Sequence, residues 1–69
     1  MPTSTKLLEL LRDLEEPSPS VHIRTVHDGR TIAAAEKRGL IMEYTPEGGG
    51  PMFLRTDAGS AFLVLEEVA

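Results

Sequence analysis

Along the first 16 residues the apolar side chains recur at helical spacing. Leu7, Leu8, Leu11 and Leu14 share one side of a wheel turning about 100° per residue, while Glu9, Arg12, Asp13 and Glu16 take the other. This predicts an amphipathic helix over 5–16, capped by Thr3 or Ser4. Pro17-Ser18-Pro19-Ser20 then forms a stiff, extended connector, because proline disfavours helical geometry in the residue before it. In Val21-His22-Ile23-Arg24-Thr25-Val26 the period shifts to two and four of six residues are β-branched, which favours a short strand with Val21, Ile23 and Thr25 on one face and His22 and Arg24 on the other.

Asp28-Gly29 signals a turn, and Asp28 is a suitable cap for a helix over 29–39 ended by Gly39. Leu40 to Thr45 and Met52 to Thr56 are strand-like runs joined by Pro46-Glu47-Gly48-Gly49-Gly50-Pro51, a hairpin with a long Gly-rich tip. Thr56 or Asp57 caps a last helix whose apolar stripe is Ala58, Ala61, Phe62 and Leu65. Leu63 points away from that stripe and Val64 and Val68 lie at its margin, which makes these three the candidate contacts of a homodimer. The expectation is one α+β domain over 1–69, in the order α-β-α-β-β-α.

Two segments add a family likeness. Glu36-Lys37-Arg38-Gly39-Leu40-Ile41 resembles the end of the recognition helix in bacterial winged-helix repressors, where Gly caps the helix and the next apolar residues begin the wing. Leu54-Arg55-Thr56-Asp57-Ala58-Gly59 resembles the entry from the wing into the final helix. With the hairpin between them these cover residues 30–62. The resemblance implies a winged-helix-like fold, with a small antiparallel sheet carrying helices on one face, in a small bacterial or phage regulator that reads duplex DNA. The sequence departs from that pattern ahead of the recognition helix. Residues 17–28, two of them proline, must supply both a strand and a helix. Either 20–27 is a strand and the first half of the helix-turn-helix is missing, or it is a short helix against its β-branched composition. The composition favours the strand, hence a reduced winged helix.

Charge sharpens this picture. Seven basic and eleven acidic residues give a net charge of −4, which opposes indiscriminate binding to nucleic acid or anionic lipid. The cations are concentrated in the middle. Residues 17–39 hold Arg24, Arg30, Lys37 and Arg38 against Asp28 and Glu36, whereas 40–69 hold Arg55 against five carboxylates. On the 29–39 helix, Ile32, Ala35, Glu36 and Gly39 face one way and Arg30, Ala34, Lys37 and Arg38 the other. The candidate DNA contacts are therefore Arg24, Arg30, Thr31, Ala34, Lys37 and Arg38, with His22 able to extend the patch and Gly48, Gly49, Gly50 and Arg55 on the wing. A cross-strand pair of Glu43 with Arg55 would neutralise the wing cation.

Little else in the chain carries chemistry. There is no cysteine, so neither a disulfide nor a thiolate metal site can form. His22 and His27 fall on opposite faces of the expected strand, which argues against a shared metal. The serines lack a nucleophile context, Asp28 and Asp57 are accounted for as caps, and the Gly-rich tip lacks the lysine and following helix of a phosphate-binding loop. An enzyme and a cofactor are therefore not expected. No apolar run approaches the length of a membrane span and the N-terminus lacks a signal-peptide core, so a cytoplasmic protein without membrane contact is expected. Two functions remain: a DNA-binding transcriptional regulator, or a winged-helix scaffold whose partner is another protein.

Overall fold

The computed structural model describes residues 5–68. The elements are α1 (Thr5–Asp13), β1 (Ser18–Pro19), α2 (Ser20–Val26), α3 (Gly29–Lys37), β2 (Ile41–Tyr44), β3 (Met52–Arg55) and α4 (Asp57–Val68). The expected caps Thr3 and Ser4 lie outside the described residues. The three strands form one antiparallel sheet in the order β1-β3-β2. Its register sets Ser18 opposite Phe53, Glu43 opposite Phe53 and Ile41 opposite Arg55. The expected α+β class holds, with one more helix than the β-branched composition suggested.

That extra helix corrects the reading of residues 20–27. The strand is confined to Ser18–Pro19, and the chain turns helical at once, with the Ser20 N–H donating to the Pro51 carbonyl at 2.9 Å. Pro19 itself is extended (φ −56°, ψ 136°), as a residue leading into a helix from outside must be. The helical period was present but carried by unlike residues: Ser20 and Ile23 are buried, and His27 completes the i, i+3, i+7 row with a side chain only 9% exposed. Val21 and Val26, which suggested a strand, are exposed at 74% and 57%. Four β-branched residues cost α2 about 2 kcal/mol in all relative to alanine, comparable to the roughly 1.5–3 kcal/mol contributed by burying Ile23, so the helix rests on its ties to Pro51 and Asp13 as well. The Thr25 hydroxyl donates to the Val21 carbonyl at 2.7 Å, the i to i−4 back-bond of a helical threonine.

The core draws Leu7, Leu10, Leu11 and Leu14 from α1, Ile23 from α2, Ile32 and Ala35 from α3, then Leu40, Ile41, Phe53 and Leu63. Alternation along β2 and β3 turns Ile41 and Phe53 toward the helices and leaves Met42, 47% exposed, on the other face.

Gly39 has φ +73° and ends α3 as expected. The Gly39 N–H donates to the Glu36 carbonyl and the Leu40 N–H to the Ala35 carbonyl, the paired bonds of a Schellman cap. Thr56 takes up the next link. Its hydroxyl donates to the Gly39 carbonyl at 2.6 Å and accepts from the Gly59 N–H at 3.0 Å, so one side chain caps α4 and ties it to the end of α3. Gly59 then passes so close to the chain just before β2 that a Cβ there would overlap the Leu40 carbonyl oxygen.

This close approach sets the rotation of α4 and overturns the expected stripe. The inward residues are Gly59 and Leu63, with Phe62 partly buried, while Ala58, Ala61 and Leu65 are exposed. Leu63, at 7% exposure, belongs to the core and is withdrawn from the candidate dimer contacts. The helix is apolar nearly all round, so periodicity alone could not choose its inner face.

Candidate functional site

Helices α2 and α3 are joined through His27 and Asp28 alone. Asp28 caps α3, its carboxylate accepting from the Arg30 N–H at 3.3 Å. His27 Nε2 lies 2.7 Å from Asp13 Oδ2, which fastens the turn to the end of α1. Beneath α3, Ile32 and Ala35 are 1% and 0% exposed. The helix is thus held at its start by a cap, along its inner side by the core and at its end by Gly39.

What α3 presents outward is a strip of Arg30, Ala33, Ala34 and Lys37, all exposed and spaced i, i+3, i+4, i+7. Neither the Arg30 nor the Lys37 side chain has a hydrogen-bond, ion-pair or ring partner among the described residues. Between them the floor is two methyl groups, so an approaching surface would meet no bulky side chain. Thr31 is half-buried at the edge of this strip. Ala33 was missed in the sequence, although the spacing that selects Arg30, Ala34 and Lys37 also includes it.

The other candidate cations, Arg24, Arg38 and Arg55, are engaged elsewhere. Arg24 reaches from α2 to Glu43 on β2 at 3.6 Å and sits 5.1 Å from the Phe53 ring centroid. Arg38 caps the end of α3 and lies over the Phe62 ring of α4 at 4.7 Å, away from the strip. Arg55 is drawn inward: its Nη1 donates to the Leu11 carbonyl at 2.8 Å and its Nε to Ser60 Oγ at 3.0 Å, joining β3 to α1 and α4. The expected Glu43 to Arg55 pair therefore does not form. The register places Glu43 opposite Phe53, within reach of Arg24. His22 is exposed, whereas His27 is committed to Asp13, and both lie on a helix and its end rather than on opposite strand faces.

The hairpin between β2 and β3 carries no free cation at its tip. Gly48 has φ +77°, and the Gly49 N–H donates to the Pro46 carbonyl, so the glycines at 48, 49 and 50 continue a tight turn. Between this hairpin and α2 runs an open cleft of about 550 Å³, walled by Pro19, Val21, Arg24, Pro46, Pro51 and Met52. The Ser20 hydroxyl lies buried beside it with no hydrogen-bond partner among the described residues. On α4, Val64, Leu65 and Val68 are exposed.

Among the described residues no three His, Cys, Asp or Glu side chains converge as a metal site would require, and no helix is long and apolar enough to cross a membrane. Compared with known proteins, the chain matches no family model, no curated protein and no solved structure.

Proposed function

We propose that this protein is a winged helix-turn-helix domain that binds duplex DNA through α3, as a small transcriptional regulator. The observation that carries the reading is the outward strip of α3, where Arg30 and Lys37 stand unpartnered on either side of Ala33 and Ala34. The helix ahead of it supports the same conclusion: α2 and the short turn supply the half of a helix-turn-helix whose absence would leave α3 without a usual docking partner. The order α1-β1-α2-α3-β2-β3-α4 with its β2–β3 hairpin is that of a winged helix, the hairpin serving as the wing.

Electrostatics limits the strength of this binding. With Arg24, Arg38 and Arg55 engaged within the molecule and Glu47 at the wing tip, few phosphates would be neutralised. The salt slope should be shallow, on the order of −1 to −2 in log K against log salt, since each phosphate contact contributes about −0.9 and only Arg30 and Lys37 are unpartnered on the strip. The test is duplex binding across a salt series. Saturable binding that weakens with salt, and is lost in the double variant Arg30→Glu/Lys37→Glu, supports the reading. Absence of binding at low salt, or binding unchanged in that variant, overturns it.

A second reading, a scaffold for another protein, is favoured by one feature, the apolar cleft between α2 and the wing. A protein partner captured by the wild type and lost on Val21→Asp, together with no DNA binding, would replace the first reading with the second.

A further inference from the structure

We infer that this chain reads a short major-groove sequence in which a guanine, contacted by Arg30, is followed within about two base pairs by thymine methyls resting on Ala33 and Ala34. The inference rests on the proposed DNA-binding function and names what that surface selects.

The argument begins with reach. Arg30 stands one residue past Gly29, the first residue of α3, and residues near the start of such a helix are the ones that approach base edges. The Asp28 carboxylate beside it accepts from the Arg30 backbone N–H, not from its guanidinium, which stays available. A guanidinium fork matches the O6 and N7 acceptors of guanine in the major groove, a pattern no other base presents there.

Ala33 and Ala34 carry no polar atom beyond Cβ, so they cannot hydrogen-bond a base. What they offer is a flat apolar floor, and the only apolar group on the major-groove edge is the thymine 5-methyl. A bulkier pair of residues would hold the helix away from the bases. The small floor also lets Arg30 come close enough to reach them.

Lys37 closes the strip. It lies seven residues beyond Arg30, about 10 Å along the helix axis, or roughly three base-pair steps. Its single point charge on a flexible stem suits a phosphate oxygen and carries no base preference. Direct reading is thereby confined to three or four base pairs between the two cations. Arg30 sets the guanine, the alanines the thymines, and Lys37 fixes the register.

The experiment selects duplexes from a random library with the wild-type protein, then measures binding of the selected site and its variants. A guanine at one position should be preferred roughly ten-fold or more, and Arg30→Ala should abolish that preference. Lys37→Ala should weaken every duplex alike and lower the salt slope by about one. Replacing the neighbouring thymines by deoxyuridine removes only the methyl group, and each replacement should cost about four-fold with the wild type. That cost should vanish in Ala33→Ser/Ala34→Ser, a pair of exposed changes for which circular dichroism should read an unchanged fold. Binding without any base preference, or an Arg30→Ala variant that keeps the guanine, overturns the inference while leaving the DNA-binding function in place. Absence of duplex binding overturns both.

Discussion

The strip on α3, with Arg30 and Lys37, and the β2–β3 hairpin, with Arg55 alone, both set cations among small or flexible residues, yet the fold treats them in opposite ways. On α3, the Asp28 carboxylate accepts from the Arg30 backbone N–H, Ala33 and Ala34 carry no side-chain acceptor, and Arg30 and Lys37 have no partner among the described residues. On the wing, Arg55 meets the Leu11 carbonyl and Ser60 Oγ and becomes part of the scaffold. Position in the sequence therefore does not decide whether a cation stays unpartnered. The acceptors that the fold brings within about 3 Å of it do.

The sharpest way to break this comparison is to disturb the junction that separates scaffold from strip. Gly59→Ala would drive a methyl into the Leu40 carbonyl oxygen, a backbone atom that cannot swing aside and that accepts the Thr56 N–H at 3.0 Å. Relief requires α4 to shift off the chain just before β2, losing part of the Leu63 contact and the link from Thr56 to Gly39. We expect a loss of about 3 kcal/mol or more, as for severe overpacking combined with a lost cap. Urea denaturation measures it. A change below 1 kcal/mol would show that the close approach does not fix α4.

Next in size is Arg55→Met, which keeps the aliphatic stem and removes the guanidinium. Two hydrogen bonds from a charged donor are lost and the Leu11 carbonyl is left without this partner, so the cost should be about 1–3 kcal/mol. Duplex affinity extrapolated to the fully folded protein should not change, and neither should its salt slope. If instead stability held and the slope fell by about one, Arg55 would belong with Arg30 and Lys37.

How much of this was legible beforehand differs along the chain for reasons the same residues display. The boundaries and caps of α3 were readable because Asp28 and Gly39 each act locally, through bonds to residues a few positions away. The outer strip followed only in part: Arg30, Ala34 and Lys37 lie on it as expected, whereas Ala33 was not foreseen and Arg38 turns to the Phe62 ring. By contrast, α2 was hidden because its inward row mixes a serine, an isoleucine and a histidine, and the partners that reward it, the Pro51 carbonyl and Asp13, are distant in sequence. For α4 the obstacle was the reverse. Apolar residues surround it, so only the contact of Gly59 with Leu40 reveals which face turns inward. The sequence of the segment around Thr56 and Gly59 resembled a family motif before its physical role was visible. The structure gives that role: Thr56 joins two helix ends, and Gly59 allows the close crossing. The fates of Arg24, Arg38 and Arg55 depend on tertiary neighbours and could not be read from charge patterning.

The smallest expected effect tests the wing directly. Glu47 is exposed at the hairpin tip, next to Gly48, and nothing packs on it that a substitution would disturb. Glu47→Lys should therefore leave stability within about 0.5 kcal/mol. If the wing lies alongside the duplex, exchanging an anion for a cation there adds one phosphate contact. The salt slope then steepens by about 0.9 and low-salt affinity rises several-fold. If slope and affinity are unchanged, the hairpin stands clear of the DNA and α3 binds without it. Either value of the slope counts the contacts made by the tip, which the native glutamate conceals: a wing without a free cation is either held at a distance or tolerated against the backbone at a small electrostatic cost. Combined with Lys37→Ala, the two changes in slope should add, since one residue lies on the helix and the other at the far end of the hairpin. Failure to add would mean that the wing and α3 compete for the same phosphates, and the division between a recognising helix and a passive wing would have to be redrawn.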